Sequence, residues 1–105
     1  MSYAVYTTER FEKEMSKISS SDNEIIKKIF FQLRENPYVG DQLRHKNLRE
    51  KRLREKRIYY LVYDDIKTVL MVAIGGKKDQ QETINHIISY LDEYNDYLDK
   101  LLKQN

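Results

Sequence analysis

The 105 residues include no cysteine, no tryptophan, one proline and three glycines. Without cysteine, the chain cannot form a disulfide framework, a thiolate nucleophile or a Cys-based zinc site. Only His45 and His86 could offer imidazole to a metal, so we expect neither a metal site nor a cofactor. The scarcity of proline and glycine, together with 34% charged residues, favours regular, helix-rich structure over a disordered chain.

Long apolar segments are also absent. The first residues, MSYAVYTTERF, lack the apolar core of a signal peptide, and no apolar run approaches the roughly 20 residues that cross a bilayer. We therefore expect a soluble, cytoplasmic protein that has no membrane partner. A chain of this length supports one domain with a modest core, so we assign residues 1–105 to a single domain.

Positive charge is concentrated between Arg44 and Arg57. Eight Lys or Arg residues in this stretch stand against Glu50 and Glu55, a net of +6, whereas the whole chain has a net charge of only +2. A basic surface of this kind beside aromatic residues usually binds a polyanion, and RNA or DNA is the nearest candidate. The alternative is a solvated strand edge, where Lys and Arg prevent aggregation between sheet edges.

The first third of the chain predicts a strand and two helices. Residues 3–6 are β-tolerant, and one of the following threonines is expected to cap a helix over 9–18, where apolar residues recur at threes and fours. Ser21 and Glu24 fit a capping box for a second helix, which ends at Asn36-Pro37. The short link between the two helices predicts an antiparallel helix hairpin.

Three strands are predicted in the middle of the chain, at Leu48 to Leu53, Arg57 to Asp64 and Ile66 to Ile74. We expect an antiparallel meander whose last two strands are joined by a tight hairpin across Asp64-Asp65. The run from Thr68 to Ile74 is almost wholly apolar, which predicts the buried central strand.

From Asp79 onward a single long helix is predicted, because apolar residues recur at threes and fours nearly to the C-terminus. Its second half carries Leu98, Leu101 and Leu102, which have no obvious core to cover them. We expect these leucines to be exposed together and to bind a second copy of the chain or another protein. The alternative is that this end folds back onto the chain's own helix hairpin.

The motifs LREKRL, RIYYLVY and VAIGGKK, in this order after a strand and a helix hairpin, resemble the toxins of the RelE/ParE superfamily. The resemblance spans roughly residues 3–88. It implies an α+β fold with an N-terminal strand, a two-helix hairpin, an antiparallel meander and a long C-terminal helix, here with an extension over about 89–105. It also implies a cognate antitoxin as partner.

The RelE branch of this family is described as cutting mRNA in the ribosomal A site without a metal, through attack by a 2′-hydroxyl on the adjacent phosphate. This chemistry needs cations that hold the phosphate, a group that takes the 2′-hydroxyl proton and a donor for the leaving oxygen. The resemblance therefore implies a toxin that acts as an endoribonuclease, with the ribosome and mRNA as partners.

Carried over by motif, Arg52 and Arg54 match the basic pair of the family's second strand, and Lys77-Lys78 match its Gly-Lys-Arg turn. The family's C-terminal tyrosine would fall near Ile84, and His86 is the candidate substitute. The expected catalytic residues are thus Arg52, Arg54, Lys78 and His86. The expected RNA-binding residues are Arg49, Lys51, Lys56, Arg57, Tyr60 and Lys77.

Each of these assignments has a structural alternative. Tyr60 stands where the family often has a phosphate-clamping arginine, and a tyrosine on a strand can pack in the sheet instead of stacking on a base. Lys77-Lys78 can simply solvate a turn, and His86 can be an ordinary helix-surface residue. The alternative function is a module without catalysis, either a ParE-like toxin that acts on DNA gyrase or a protein that only binds RNA or its antitoxin.

Overall fold

The fold of residues 2–103, described by a computed structural model, is α+β. One strand, two helices, four strands and two further helices follow one another along the chain. The strands are β1 (Ala4–Thr7), β2 (Asp41–Gln42), β3 (Leu48–Leu53), β4 (Lys56–Tyr63) and β5 (Thr68–Gly76). The helices are α1 (Glu9–Ser16), α2 (Ser20–Glu35), α3 (Gln80–Ser89) and α4 (Leu91–Lys103). This is the predicted fold class.

All five strands form one sheet in the order β1-β5-β4-β3-β2. The predicted antiparallel meander is confirmed, because β3 pairs with β4 and β4 with β5 in antiparallel fashion. The sheet as a whole is mixed, since β1 runs parallel to β5. Every residue from Thr68 to Ile74 is buried, as expected, although β4 rather than β5 occupies the middle of the sheet.

Helices α1 and α2 cover one face of the sheet and enclose the first core. This core is built from Phe11, Ile26, Ile29, Leu33, Leu53, Ile58, Tyr60, Val62, Val69, Met71 and Ile74. Thr8 caps α1, because its Oγ1 accepts a hydrogen bond of 3.1 Å from the Phe11 N–H. The capping box predicted at Ser21 is wrong: α2 begins two residues earlier, and Ser19 caps it through the Asp22 N–H at 3.2 Å.

Helices α3 and α4 cover the opposite face and enclose the second core. This core contains Leu48, Tyr59, Leu61, Leu70, Val72, Ala73, Ile84 and Ile87. The prediction of one continuous helix is wrong, because the helix is interrupted at Tyr90, between α3 and α4. The break turns α4 back over the sheet, where the Tyr97 hydroxyl donates a 2.9 Å hydrogen bond to the Thr7 carbonyl.

The expected exposure of the C-terminal leucines is wrong for Leu98, which is 2% exposed. Leu101 and Leu102 are half-buried. The alternative, in which this helix joins the helix hairpin, is also wrong, because Tyr94 and Tyr97 of α4 pack against the second core on the other face of the sheet. The apolar stripe of α4 is therefore used largely within its own chain.

A β-bulge in β5 determines where the end of that strand points. Tyr59 pairs with Ala73 and Tyr60 with Met71, so Val72 is the extra residue. A bulge interrupts the alternation of side chains between the two faces. Beyond it, Arg57 lies opposite Gly75 and Lys56 opposite Gly76, which brings the β3–β4 turn next to the end of β5.

The connection between β4 and β5 differs from the tight hairpin predicted across Asp64-Asp65. A 3-10 turn spans Asp64–Ile66, and Lys67 follows with φ of +49°. Four residues thus separate Tyr63 from its partner Thr68. No helix among residues 2–103 is long and apolar enough to cross a membrane.

Candidate nucleic-acid interface

A cleft of about 1210 Å³ lies where the β3–β4 turn, the end of β5 and the end of α1 meet. We call it the basic cleft. Among its lining residues, seven carry positive charge and two carry negative charge. The cations are Lys17, Arg52, Arg54, Lys56, Arg57, Lys77 and Lys78, and the carboxylates are Glu14 and Glu55. An excess of cations in a concave site concentrates the field that attracts an anionic ligand.

Six of the ten residues predicted for the site line the basic cleft. Three come from the expected catalytic set, namely Arg52, Arg54 and Lys78, and three from the expected RNA-binding set, namely Lys56, Arg57 and Lys77. Strand pairing explains the arrangement. Arg52 lies directly opposite Arg57, and Lys56 lies opposite Gly76, immediately before Lys77 and Lys78.

Internal carboxylates neutralise only part of this charge. Asp22 of α2 lies 3.2 Å from Arg54 and 3.9 Å from Lys56. Within residues 2–103, Arg52, Lys77 and Lys78 have no carboxylate within ion-pair distance, and all three are exposed. These three side chains thus have their charge available for a ligand in the cleft.

Arg57 differs from the other cations of the basic cleft because it is only 5% exposed. Its Nε lies 3.4 Å from the Glu50 carboxylate, yet it makes no hydrogen bond with any described residue. Glu50 in turn accepts two hydrogen bonds, of 3.0 and 3.1 Å, from the Gln80 side-chain amide. Burial and the charge of Glu50 raise the pKa of the neighbouring Tyr59 to about 12, and Arg57 opposes this rise.

His86 lies in a second, smaller pocket of about 500 Å³ beside the basic cleft. Glu14, Ile74 and Gly75 line both cavities. The imidazole of His86 stacks on the ring of Tyr90, with 4.5 Å between the ring centroids. The structure therefore places His86 adjacent to the predicted cations and not among them.

Tyr60 does not reach the cleft, which corrects its assignment as an RNA contact. Its side chain is fully buried in the first core. Its hydroxyl donates a 2.7 Å hydrogen bond to the Pro37 carbonyl and accepts one of 3.1 Å from the Gly40 N–H. Burial raises the pKa of this hydroxyl, while the hydrogen bond from Gly40 works in the opposite direction. Tyr60 is a packing residue.

Arg49 and Lys51 also lie outside the cleft. Arg49 donates a 2.8 Å hydrogen bond to the Gly40 carbonyl and stacks over the Tyr38 ring at 4.9 Å. Lys51 is half-buried on β3, opposite Ile58. Side chains alternate between the two faces of a strand, so these odd-numbered residues of β3 face away from Glu50 and Arg52.

Three residues of this region were not predicted as part of the site, namely Glu50, Gln80 and Asp22. Glu50 carried a usable signal, because it precedes Arg52 by two residues on a strand and so shares its face. The partners of Glu50 and Asp22 are distant along the chain, since Gln80 is 30 residues from Glu50. Residues 2–103 contain no group of three or more His, Asp or Glu side chains that could hold a metal ion.

Proteins with a similar fold are found among solved structures. No family model and no curated protein matches the chain, but solved structures do. RelE in the intact Escherichia coli RelBE toxin–antitoxin complex is 26% identical, with a TM-score of 0.65 over 70% of this chain and 95% of that chain. A free mutant of E. coli RelE is 24% identical, with a TM-score of 0.69 over 83% and 99%.

An archaeal RelE–RelB complex from Pyrococcus horikoshii is 16% identical, with a TM-score of 0.68 over 73% of this chain and 97% of that chain. Each of these structures is matched almost along its full length. At the same time, 17% to 30% of the present chain has no counterpart in them. The resemblance predicted from the motifs, and the fold it implied, are confirmed.

Proposed function

We propose that this RelE-like chain is the toxin of a type II toxin–antitoxin pair. The relative at 26% identity was solved in a toxin–antitoxin complex, and the archaeal neighbour was solved with RelB. These complexes support a cognate antitoxin as partner. Co-expression with the product of an adjacent small, acidic reading frame should abolish growth arrest caused by the chain alone, and a pull-down should recover both proteins together.

We infer further that the chain cuts mRNA on the ribosome by attack of a 2′-hydroxyl on the neighbouring phosphate, without a metal. The observation that carries this proposal is the basic cleft, in which the unpaired cations Arg52, Lys77 and Lys78 converge. These cations would hold the phosphate and stabilise the charge that develops on it. His86 in the adjoining pocket is the candidate for proton transfer.

Controlled expression followed by mapping of mRNA 5′ ends tests this activity. In purified ribosome complexes, Lys78→Ala should lower the cleavage rate by about 100-fold and weaken binding far less, because a cation aimed at developing charge acts mainly in the transition state. The control is Lys100→Ala, which removes an exposed cation of α4 outside the cleft. Loss of cutting on addition of EDTA, or full activity of the Lys78 variant, would contradict the mechanism.

A second candidate function is a module without catalysis, favoured by what the structure shows at two family positions. Tyr60 replaces a clamping arginine and is fully buried, and Ile84 stands near the family's tyrosine and is 7% exposed. Neither offers a polar group to the cleft. Such a protein could act on DNA gyrase in the ParE manner or only bind RNA or its antitoxin. Growth arrest without new mRNA 5′ ends, together with inhibited supercoiling by gyrase, would establish the gyrase target.

We propose that residues 1–105 form a single domain. We also propose that it acts in the cytoplasm, because the proposed targets are ribosomes and mRNA. The extension proposed from about residue 89 begins where the structure breaks the helix, at Tyr90. We also propose a homodimer formed through α4. Its contacts would come from Leu101 and Leu102, which are half-buried and not fully packed within the chain. Light scattering on the full chain and on Leu101→Ser/Leu102→Ser tests the dimer.

A further inference from the structure

Two arginines face each other across β3 and β4. Arg52 and Arg57 are direct partners in the register, so their side chains lie on the same face of the sheet. Like charges at directly opposite positions destabilise a strand pair. Arg57 adds a second cost, since its side chain is only 7% exposed and a buried guanidinium must be paired to be tolerated. The arrangement therefore calls for an anion at this point.

Glu50 supplies that anion only in part. It lies on the same face as Arg52 and Arg57, with its side chain 12% exposed, and its carboxylate is 3.4 Å from the Arg57 Nε. The geometry does not make a hydrogen bond, so the Nε–H of Arg57 stays unsatisfied among the described residues. Both oxygens of Glu50 instead accept hydrogen bonds from Gln80, the first residue of α3.

Arg57 can be reached from the cleft beside Gly75. Gly75 is the register partner of Arg57 on β5, it has no side chain, and both residues line the basic cleft. A Cβ added at Gly75 would be in ordinary contact with Thr83 Oγ1 at 3.5 Å and with a ring carbon of Tyr59 at 3.7 Å, so these two side chains bound the approach to the arginine pair on this face. A phosphate is the anion that best matches two guanidinium groups, because each can donate two parallel hydrogen bonds to its oxygens.

We propose that Glu50 is an internal counter-ion that occupies Arg57 in the free protein, and that a phosphate of the RNA takes Arg57 over from it on binding. This inference rests on the proposed function only for the identity of the ligand as RNA. Glu50 is then a competitor of the ligand as well as a support for Arg57. Its charge lowers the affinity of the cleft for phosphate and so favours ligands that offer further contacts to Arg52, Lys77 and Lys78.

One substitution distinguishes a competing Glu50 from a supporting one by whether phosphate affinity rises or falls. Glu50→Gln keeps an oxygen that can accept from Gln80 but removes the charge that competes for Arg57. If Glu50 competes, Glu50→Gln should bind phosphate more tightly, by about 3- to 10-fold. If Glu50 only holds Arg57 in place, its loss should leave phosphate affinity unchanged or lower it. Glu55→Gln is the matched control, because it removes the same charge from an exposed carboxylate of the same cleft.

The experiment uses the full-length, ¹⁵N-labelled chain and follows the arginine Nε–H resonances by NMR. The probes are inorganic phosphate and a trinucleotide whose first and central 2′-hydroxyls are both replaced by hydrogen, so that neither phosphodiester can be cut. We expect both probes to shift the Arg57 resonance, Glu50→Gln to tighten binding of both and Glu55→Gln to change it by less than about twofold. Arg57→Lys keeps the positive charge but cannot donate two parallel hydrogen bonds, so it should weaken binding by about 10-fold.

Equal phosphate affinity in Glu50→Gln and Glu55→Gln would overturn the proposal, as would an Arg57 resonance that neither probe moves. Thermal unfolding of each variant checks that it is folded, and Glu50→Gln alone decides the question if Arg57→Lys does not fold. Failure of the proposed function has a different signature. In that case phosphate binding follows the expected pattern, yet mRNA 5′ ends do not change when the chain is expressed.

Discussion

Two adjacent tyrosines of β4 are both fully buried, but they face opposite sides of the sheet and differ in how their hydroxyls are satisfied. Tyr60 faces the first core, and its hydroxyl makes two hydrogen bonds with the backbone of Pro37 and Gly40. Tyr59 faces the second core, and its hydroxyl makes none with the described residues. Because native proteins satisfy most buried polar groups, the exception requires an explanation.

The exceptions are concentrated on one side of β4. Of the four buried side-chain atoms left without a hydrogen bond among residues 2–103, three belong to Arg57, Tyr59 and Tyr63, and the fourth to Asn23 of α2. Alternation along a strand puts those three on the same face. The side under α1 and α2 has one such atom, on Asn23. The side under α3 and α4 has three, of the kind found at functional sites, and one of them belongs to Arg57, which lines the basic cleft.

The largest effect expected from this contrast is at Gly40. A Cβ there would lie 2.5 Å from the Glu50 carbonyl and 2.5 Å from the Tyr60 hydroxyl. Gly40→Ala should lower the free energy of unfolding by about 3 kcal/mol, measured by urea denaturation. Gly76→Ala is a close control, since its backbone angles are similar (φ −89° against −80°) and its Cβ has free space. A loss below about 1 kcal/mol for Gly40→Ala would show that the Glu50 carbonyl and the Tyr60 hydroxyl move aside at little cost.

A second prediction concerns stability at alkaline pH and the two tyrosines without a hydrogen bond, Tyr59 and Tyr63. The pKa of Tyr59 is raised from its ordinary value of 10.0 to about 12, first by burial and then by Glu50. A raised pKa means that the folded state favours the neutral hydroxyl, so this stabilisation is complete below about pH 10 and is lost as pH rises towards 12. Two pKa units correspond to about 2.7 kcal/mol at most.

Unfolding in urea at pH 9 to 12 measures this loss. Tyr63, whose pKa is also raised to about 12 by burial, Tyr94 and Asp99, contributes a similar loss. Burial also raises the pKa of Tyr60 and of Tyr94, so these tyrosines add to the decline. Tyr59→Phe should therefore remove one part of the alkaline decline and leave the rest. An unchanged decline in this variant would mean that Tyr59 does not titrate with a raised pKa.

The third prediction compares the two hydroxyls directly. Tyr60→Phe leaves the Pro37 carbonyl and the Gly40 N–H without their partner, so it should cost about 1 to 3 kcal/mol. Tyr59→Phe removes a hydroxyl that has no partner and should change stability at pH 7 by less than about 0.5 kcal/mol, or increase it. Equal losses in the two variants would remove the distinction between the two sides of the sheet.

Much of this architecture could be predicted from the residues alone, because it depends on local patterns. The apolar period of α1 and α2, the Asn36-Pro37 stop and the buried run from Thr68 to Ile74 all use signals contained within one element. The position of six predicted cations in one cleft is a different case. Arg52, Arg54, Lys77 and Lys78 came from the family motifs, whose order along the chain carries information about pairing between strands. Lys56 and Arg57 were predicted from the concentration of positive charge between Arg44 and Arg57.

The errors arose where tertiary contacts override local pattern. The period of apolar residues continues through Tyr90, so nothing in it marks the break that turns α4 onto the second core. The capping box at Ser21 competed with an equally good cap at Ser19. The bulge at Val72 and the contact between Glu50 and Gln80 depend on register and on distant segments, and neither has a signature in the local sequence.

The smallest change in stability, and the most specific change in binding, is expected for Arg52 and Arg54, the exposed arginines of the basic cleft. Arg54 lies in the left-handed region (φ 56°), where alanine is strained to a similar degree. In its ion pair with Asp22 the arginine side chain is 67% exposed, although that of Asp22 is only 13% exposed. Arg52→Ala with Arg54→Ala should therefore lower stability by less than about 1 kcal/mol. Asp22 keeps Lys56 as a partner at 3.9 Å.

The same double variant should lose two phosphate contacts. For a single strand each contact contributes about 0.7 to the slope of log affinity against log salt, so the slope should flatten by about 1.4. Titration of a short RNA at 50 to 200 mM salt measures it. Lys27→Ala with Lys28→Ala, two exposed cations of α2 outside the basic cleft, should leave the slope unchanged. If both double variants flatten the slope equally, RNA affinity depends on the overall charge of the protein and not on contacts in the basic cleft.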